Sequence, residues 1–351
     1  MKFDLTPSFT AENFTAPYVI AEIGSNHNGD MDLARKIIDA AVESGADAVK
    51  FQSWTPQSLI AREEYEANTV YTDDPKKHWG SLREMVEEYY LREDQHKELK
   101  EYCDEKGVDF CSTPFSEEEA DLLVELDVPF FKVASMDINN LRLLRYLAKT
   151  GKPVILSTGM ATLGEIEQAV QTLEEAGNQK IMLLHCISVY PPKMKNVNLR
   201  NITMLQQTFG YPVGFSDHTI GSAIPLASVA LGACLIEKHF TIDKDLPGWD
   251  HMISADPDEM KEICSESKNI AAAMGSYRRT ISEEETQKMP KMRRSIVTAG
   301  DLKKGDRIKE KDLTFKRPGT GIAPDEETYV VGRSLKNDLA KDSVIRWKDI
   351  D

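Results

Sequence analysis

Cysteine is scarce in this chain and does not pair up. Cys103, Cys111, Cys186, Cys234 and Cys264 make an odd set with no CxxC spacing. That excludes a disulfide-stapled secreted scaffold and leaves reduced, buried thiols as the expectation. Long apolar runs are missing as well. None reaches the roughly 18 residues that a membrane span needs, and "MKFDLTPSFTAENF" holds no apolar signal-peptide core, so a cytoplasmic protein is expected. Positive charge is in deficit: Lys+Arg 43 against Asp+Glu 58 gives −15. Without a broad cationic field, neither nucleic acid nor an anionic membrane is an expected partner. A local basic pocket for a small anion remains compatible with that surface.

What is present is a repeated pattern. From Tyr18 onward, short apolar runs alternate with amphipathic helical stretches. The runs "YVIAEIG", "DAVKFQ", "VDFCSTP", "PFFKVAS", "PVILSTG", "IMLLHC", "YPVGFSD" and "CLIEKHF" are apolar almost throughout, as strands covered on both faces are. Between them lie helix patterns such as "DLARKIIDAAVESG", with a capping residue before and Gly after. Eight such units predict a (β/α)₈ barrel over residues 1–280, with an open doubly wound sheet as the alternative. The connection Ser53–Arg92, carrying "YTDDPKKHWGSL", is long enough to be a specificity loop. The charged stretch 281–292 reads as a linker. Beyond it, "DLKKGDRIKEKDL" is echoed by "DLAKDSVIRWKDI", which predicts two similar turn-and-strand units in a small domain over 293–351.

In a barrel, catalytic side chains project from the C-terminal strand ends. Those ends read, in order, Glu22; Lys50 and Gln52; Thr113; Lys132 and Ser135; Ser157; His185; Ser216 and His218; Glu237 and His239. Polar groups on every strand end converge on one mouth. His218 and His239, from neighbouring strands, suit one divalent cation in a mixed nitrogen–oxygen site, Mn²⁺ or else Mg²⁺ or Co²⁺. Lys50 and Lys132, beside the hydroxyls of Thr113, Ser135, Ser157 and Ser216, form a cradle for phosphate and carboxylate. A buried lysine also fits a Schiff-base nucleophile. Glu22 fits a metal ligand, a general base or a stabiliser of positive charge. The "NHNG" that follows reads first as a turn, with Asn26 and His27 undecided.

These motifs, "IAEIGSNHNGD", "GADAVKFQ", "STPFS", "FKVAS", "ILSTGM", "LLHC…VYP", "GFSDHT", "EKHFT" and "FKRPGTGI", occur in an order that resembles the bacterial sialic acid synthases from about Val19 to the C-terminus. The resemblance implies a barrel followed by an antifreeze-like SAF domain, and a domain-swapped homodimer. It implies condensation of phosphoenolpyruvate with an open-chain N-acylated mannosamine to give a nine-carbon 2-keto acid. By motif, His218 and His239 would bind the metal and Glu22 would sit beside the reacting carbons. Lys50, Thr113, Lys132, Ser135, Ser157 and Ser216 would hold phosphoenolpyruvate. Gln52, Tyr190 and Asp250 would contact the sugar, with Arg317 reaching in from the partner chain. The chain departs from the family at Asp137, where sialate-forming members carry Glu, at Trp249, where many carry Pro, and at Ser188, where Asn is usual. All three fall on the sugar side, so the sugar is open: acetylated mannosamine, a 4-acetamido-6-deoxy derivative leading to legionaminate or pseudaminate, or a phosphorylated hexose. A phosphoenolpyruvate enzyme without a SAF domain, a Schiff-base aldolase and a carbohydrate- or ice-binding protein are the competing readings.

Overall fold

The computed structural model describes residues 16–70 and 80–351, so the N-terminal fourteen-residue stretch quoted above and most of the "YTDDPKKHWGSL" segment lie outside the described residues. The chain divides into two compact units, one ending at Gly275 and the other covering Ser276–Asp351.

The first unit is built on eight parallel strands: β1 (Tyr18–Gly24), β2 (Ala48–Ser53), β3 (Asp109–Pro114), β4 (Phe131–Val133), β5 (Val154–Ser157), β6 (Ile181–Cys186), β7 (Val213–Asp217) and β8 (Leu235–His239). Hydrogen bonds run in the order β3-β2-β1-β8-β7-β6-β5-β4, and β3 lies beside β4, which brings the ring round to a near-closed barrel. Each strand is followed by at least one helix, as right-handed parallel crossovers require. The helix Met31–Ser44 shows why: Asp30 accepts from the amides of Asp32 and Leu33 at its start, and Gly45, at φ 88°, ends it in a left-handed turn. The helix Leu163–Glu175 begins with a Thr162/Glu165 capping box.

Strand alternation sorts the side chains into two layers. Val19, Val49, Phe131, Leu156, Leu183, Phe215 and Ile236 face the helices and join one large core. Tyr18, Ile20, Ala48, Phe130, Ile155, Leu184 and Leu235 fill the barrel floor. Above that floor, at the C-terminal strand ends, the inward positions become polar. The β2–β3 connection adds the helices Pro56–Leu59, Arg62–Ala67 and Leu82–Tyr89. Trp54, Tyr65, Leu82, Val86 and Tyr89 form a satellite core there, against which Phe115 and Trp249 pack.

In the second unit, β9 (Ser295–Thr298) pairs antiparallel with β10 (Leu313–Lys316). The sequence echo is a structural one. The Lys304 amide donates to Asp338 Oδ1 at 2.8 Å and the Lys341 amide to Asp301 Oδ1 at 2.7 Å, while Leu302 bridges Leu339. Each copy thus caps the other. Most of the stretch read as a linker is helix, Glu283–Met292, because Ser282 and Glu285 form a capping box at its start. Among the described residues, no helix is long and apolar enough to cross a membrane.

Candidate active site

The strand ends open into a cavity of about 380 Å³. Twelve of the strand-end and motif residues expected from the sequence line it: Glu22, Lys50, Gln52, Thr113, Lys132, Ser135, Tyr190, Ser216, His218, Glu237, His239 and Asp250. Ser157 is buried just beyond the lining, and its hydroxyl has no hydrogen-bond partner. Asp137 does not line the cavity. It sits in the short helical turn Ser135–Asp137, accepting from Asn140 Nδ2 at 3.2 Å. Arg317 belongs to the second unit and is exposed there.

Four buried charges occupy the centre. Lys50 Nζ lies 2.7 Å from Glu22 Oε2 and 3.8 Å from Glu237 Oε2, and it donates to Thr113 Oγ1 at 3.1 Å. Lys132 Nζ lies 3.3 Å from Glu237 Oε1, which also accepts from Ser216 Oγ at 2.9 Å. Gln52 Nε2 donates to Glu22 Oε1 at 2.8 Å. Burial pushes the Glu22 carboxyl up, against the pull of Lys50. Burial opposes charge on Glu237 as well, but Lys132 and Lys50 outweigh it and hold that carboxyl well below the usual range. Lys50 is desolvated too, yet Glu22 and Glu237 keep it above an ordinary ammonium. Two ammonium ions and two carboxylates therefore stabilise one another, and each would be costly alone.

Beside this cluster the two imidazoles stand with ring centroids 5.4 Å apart and planes at 45°. His218 Nδ1 is 2.8 Å from the Ile187 carbonyl, to which it donates; burial works against charge on this ring, but the Cys186 thiol and that carbonyl lift it above the ordinary imidazole value. Burial, with His218 and the lysines nearby, drives His239 well below the usual imidazole value and keeps it neutral. Its Nδ1 is buried without a hydrogen-bond partner, 3.8 Å from Asp250 Oδ2. A neutral imidazole with an unpartnered nitrogen, next to one fixed by a carbonyl behind it, fits a divalent cation whose remaining positions are filled by water or substrate. Among the described residues, no group of three or more His, Cys, Asp or Glu comes together to hold a metal, so the candidate ligands are the two imidazoles. The Tyr190 ring lies over His218, centroids 4.0 Å apart.

Gly159 shapes the anion side. Its amide donates to Ser135 Oγ at 3.1 Å, and a Cβ there would fall 2.7 Å from that oxygen. Trp54, Leu59, Phe115 and Trp249, which pack together, also line the cavity.

Several expectations change. His185 does not point into the mouth. It is on the outer face of β6, its Nε2 donating to the Val197 carbonyl at 2.6 Å and its ring stacked on Phe215. The inward residue at that strand end is Cys186, which lines the cavity and was not singled out from the sequence. Asn26 and His27 serve the frame: Asn26 Nδ2 donates to the Phe240 carbonyl and to Ser254 Oγ, and His27 Nδ1 accepts from the Gly29 amide. Ser254 Oγ in turn donates to the Asp250 carbonyl, so Asn26 steadies the loop that carries Trp249 and Asp250. Glu237, given no role from the sequence beyond its place at a strand end, stands at the centre. Its signal was present: it is two residues from His239 on the same strand face.

Residues 37–279 match the NeuB family, and residues 293–351 match the SAF domain. An N,N'-diacetyllegionaminic acid synthase of Campylobacter jejuni is 42% identical over 334 residues, covering 93% of this chain and 98% of that one. A pseudaminic acid synthase of Helicobacter pylori is 33% identical over 341 residues, covering 95% and 98%. The crystal structure of a sialic acid synthetase from Leptospira borgpetersenii, in complex with citrate, matches with a TM-score of 0.70 at 35% identity, over 78% of this chain and 90% of that one.

Proposed function

This chain belongs to the NeuB family, and from that premise we propose that it condenses phosphoenolpyruvate with an open-chain N-acylated mannosamine-type sugar. It is an enzyme of the nonulosonic acid synthase type. The observation that carries the reading is the junction, in one cavity, of a lysine–hydroxyl cradle with two neighbouring imidazoles. Phosphoenolpyruvate is small, carries phosphate and carboxylate, and needs both ammonium ions.

In this reading Lys50, Lys132, Thr113, Ser135 and Ser216 hold the two anionic groups, and Ser157 offers its unpartnered hydroxyl behind them. His218 and His239 would hold a divalent cation, with Mn²⁺ the first choice, which supplies Lewis acidity for the aldehyde oxygen. The alkene pair of phosphoenolpyruvate forms the new carbon–carbon bond from its carbon three to the aldehyde carbon, and the aldehyde oxygen becomes a hydroxyl with a proton that the water adding at carbon two gives up. Carbon two turns electron-poor. Glu22, held by Gln52 and Lys50, stabilises it and takes a proton from the water that adds there. The carbon–oxygen bond to phosphate then breaks, leaving a 2-keto acid and inorganic phosphate. Positioning of the two reactants supplies much of the rate.

A Schiff-base mechanism suits the site poorly. Lys50 is paired with Glu22 at 2.7 Å and held above its ordinary pKa, the reverse of what an amine nucleophile needs. The wall of Trp54, Phe115 and Trp249 favours a sugar with apolar substituents. Among the described residues, Lys50 and Lys132 are the only ammonium or guanidinium groups of this chain lining the cavity, and phosphoenolpyruvate takes up both. The sugar proposed is therefore a 2,4-diacetamido-6-deoxymannose, giving a legionaminate-type product, in line with the C. jejuni relative. Arg317 would enter from the partner chain of a homodimer.

The test is phosphate release from phosphoenolpyruvate with Mn²⁺ and a panel of sugars. Release is expected only with an N-acylated mannosamine, fastest with the 2,4-diacetamido compound. Release with an aldose phosphate alone, or borohydride-trapped pyruvate on a lysine, would replace this reading.

A further inference from the structure

One buried pair takes no part in the chemistry above. Asp217 and Lys238 are both fully enclosed, and Lys238 Nζ lies 2.7 Å from Asp217 Oδ2. In the pairing of β7 with β8 they stand opposite one another. Each immediately precedes one of the two imidazoles: Asp217 comes before His218, and Lys238 before His239. Alternation turns both onto the helix side of the barrel, away from the cavity. Lys238 Nζ donates a second bond to the Thr219 carbonyl, one residue past His218. Asp217 in turn accepts from the Thr219 amide at 2.9 Å and from its hydroxyl at 3.0 Å. One ammonium ion on β8 thus grips the residues on both sides of His218.

A buried ion pair is a poor way to stabilise a barrel, because desolvation consumes most of the attraction and an apolar pair does as well. It is a good way to fix position, since its hydrogen bonds have direction. From this geometry we infer that Asp217 and Lys238 are positioning residues that set the separation and tilt of His218 and His239, and with them the affinity for a divalent cation. The inference rests on the imidazole pair being the metal site. His218 is held from inside by the Ile187 carbonyl and from outside by this clamp, so the strand end has little freedom.

The test uses the full-length protein stripped of metal. Mn²⁺ dissociation constants are measured by calorimetry for wild type, Asp217→Asn, Lys238→Met and His239→Ala, each with its Tm. Leu173→Ala, in an outer helix far from the strand ends, serves as a control that loses stability without touching the clamp. Asp217→Asn, which keeps shape and an acceptor, covers the case in which Lys238→Met does not fold. The expected result is a Kd weaker by about tenfold or more for the clamp variants, the range found when a supporting partner of a metal ligand is lost, with no change for Leu173→Ala. A folded Asp217→Asn protein with wild-type Kd overturns the inference. Mn²⁺ binding that survives in His239→Ala overturns the site itself, a separate outcome.

Discussion

The same strand ends carry buried polar side chains on both faces, and the two faces differ in how complete their bonding is. On the outer face of β2, β3, β6, β7 and β8, the buried polar groups close on protein. Ser53 Oγ joins His96 Nε2 and Ser112 Oγ, His185 meets Val197, and Asp217, Lys238 and Thr219 satisfy one another. Inside, Ser157 Oγ and His239 Nδ1 are left without partners, and four charges share a cavity large enough for two small reactants. Burial and polarity alone do not mark a site. Unfinished bonding at the mouth does, because a buried polar atom without a partner costs about 1–3 kcal/mol and is retained where a ligand completes it.

The largest effect expected is on the inner imidazole. His239→Ala should lower turnover by about 10³-fold or more and remove bound Mn²⁺ with it, since Lewis acidity at the aldehyde is worth several kcal/mol. Metal content by elemental analysis and kcat on the same preparation check it. Full activity in chelator-treated buffer would detach the cavity from metal chemistry.

Much of this was readable beforehand, and the limits are physical. All eight strands were visible because covered parallel strands are apolar throughout. That same uniformity hid which parity faces inward. In "IMLLHC" both alternating sets are apolar up to the last pair, so His185 was preferred to Cys186 on chemistry alone, and the structure reverses them. In "GFSDHT" and "EKHF" the inner residues were found because two polar side chains two positions apart, Ser216 with His218 and Glu237 with His239, name the face. The intervening Asp217 and Lys238 passed unnoticed for the same reason. The aromatic wall was missed because Trp54 and Phe115 lie far apart in the chain and are joined by tertiary packing with Trp249.

A second comparison pits barrel against partner chain. If Arg317 completes the inner face of a neighbouring protomer, Glu22→Gln and Arg317→Ala proteins should each be nearly inactive alone. Co-refolded in equal amounts, they should recover roughly a quarter of wild-type turnover, because a closed two-fold dimer then leaves one intact site in half of its members. No recovery would place Arg317 elsewhere.

The effect of Glu237 is smaller and has an unusual sign. Its carboxylate already occupies Lys132 and Ser216, the groups proposed to receive phosphoenolpyruvate. Glu237→Gln removes one opposing charge within about 4 Å, worth about 1 kcal/mol in a wet site, so phosphoenolpyruvate should bind about fivefold to tenfold tighter by calorimetry, while Tm falls. Weaker binding would mean that Glu237 orients the lysines rather than competing for them.

The smallest kinetic effect belongs to the outer face. His185→Leu removes the donor to the Val197 carbonyl and leaves that oxygen buried, at a cost of about 1–3 kcal/mol in stability. Because the ring stacks on Phe215 and points away from the cavity, kcat/KM for both substrates should stay at the wild-type value when assayed well below Tm. Urea denaturation and steady-state kinetics on one sample separate the two quantities. A loss of kcat/KM with stability intact would show that the outer layer reaches the reacting groups through β6, and the division between closed and unfinished bonding would no longer locate the site.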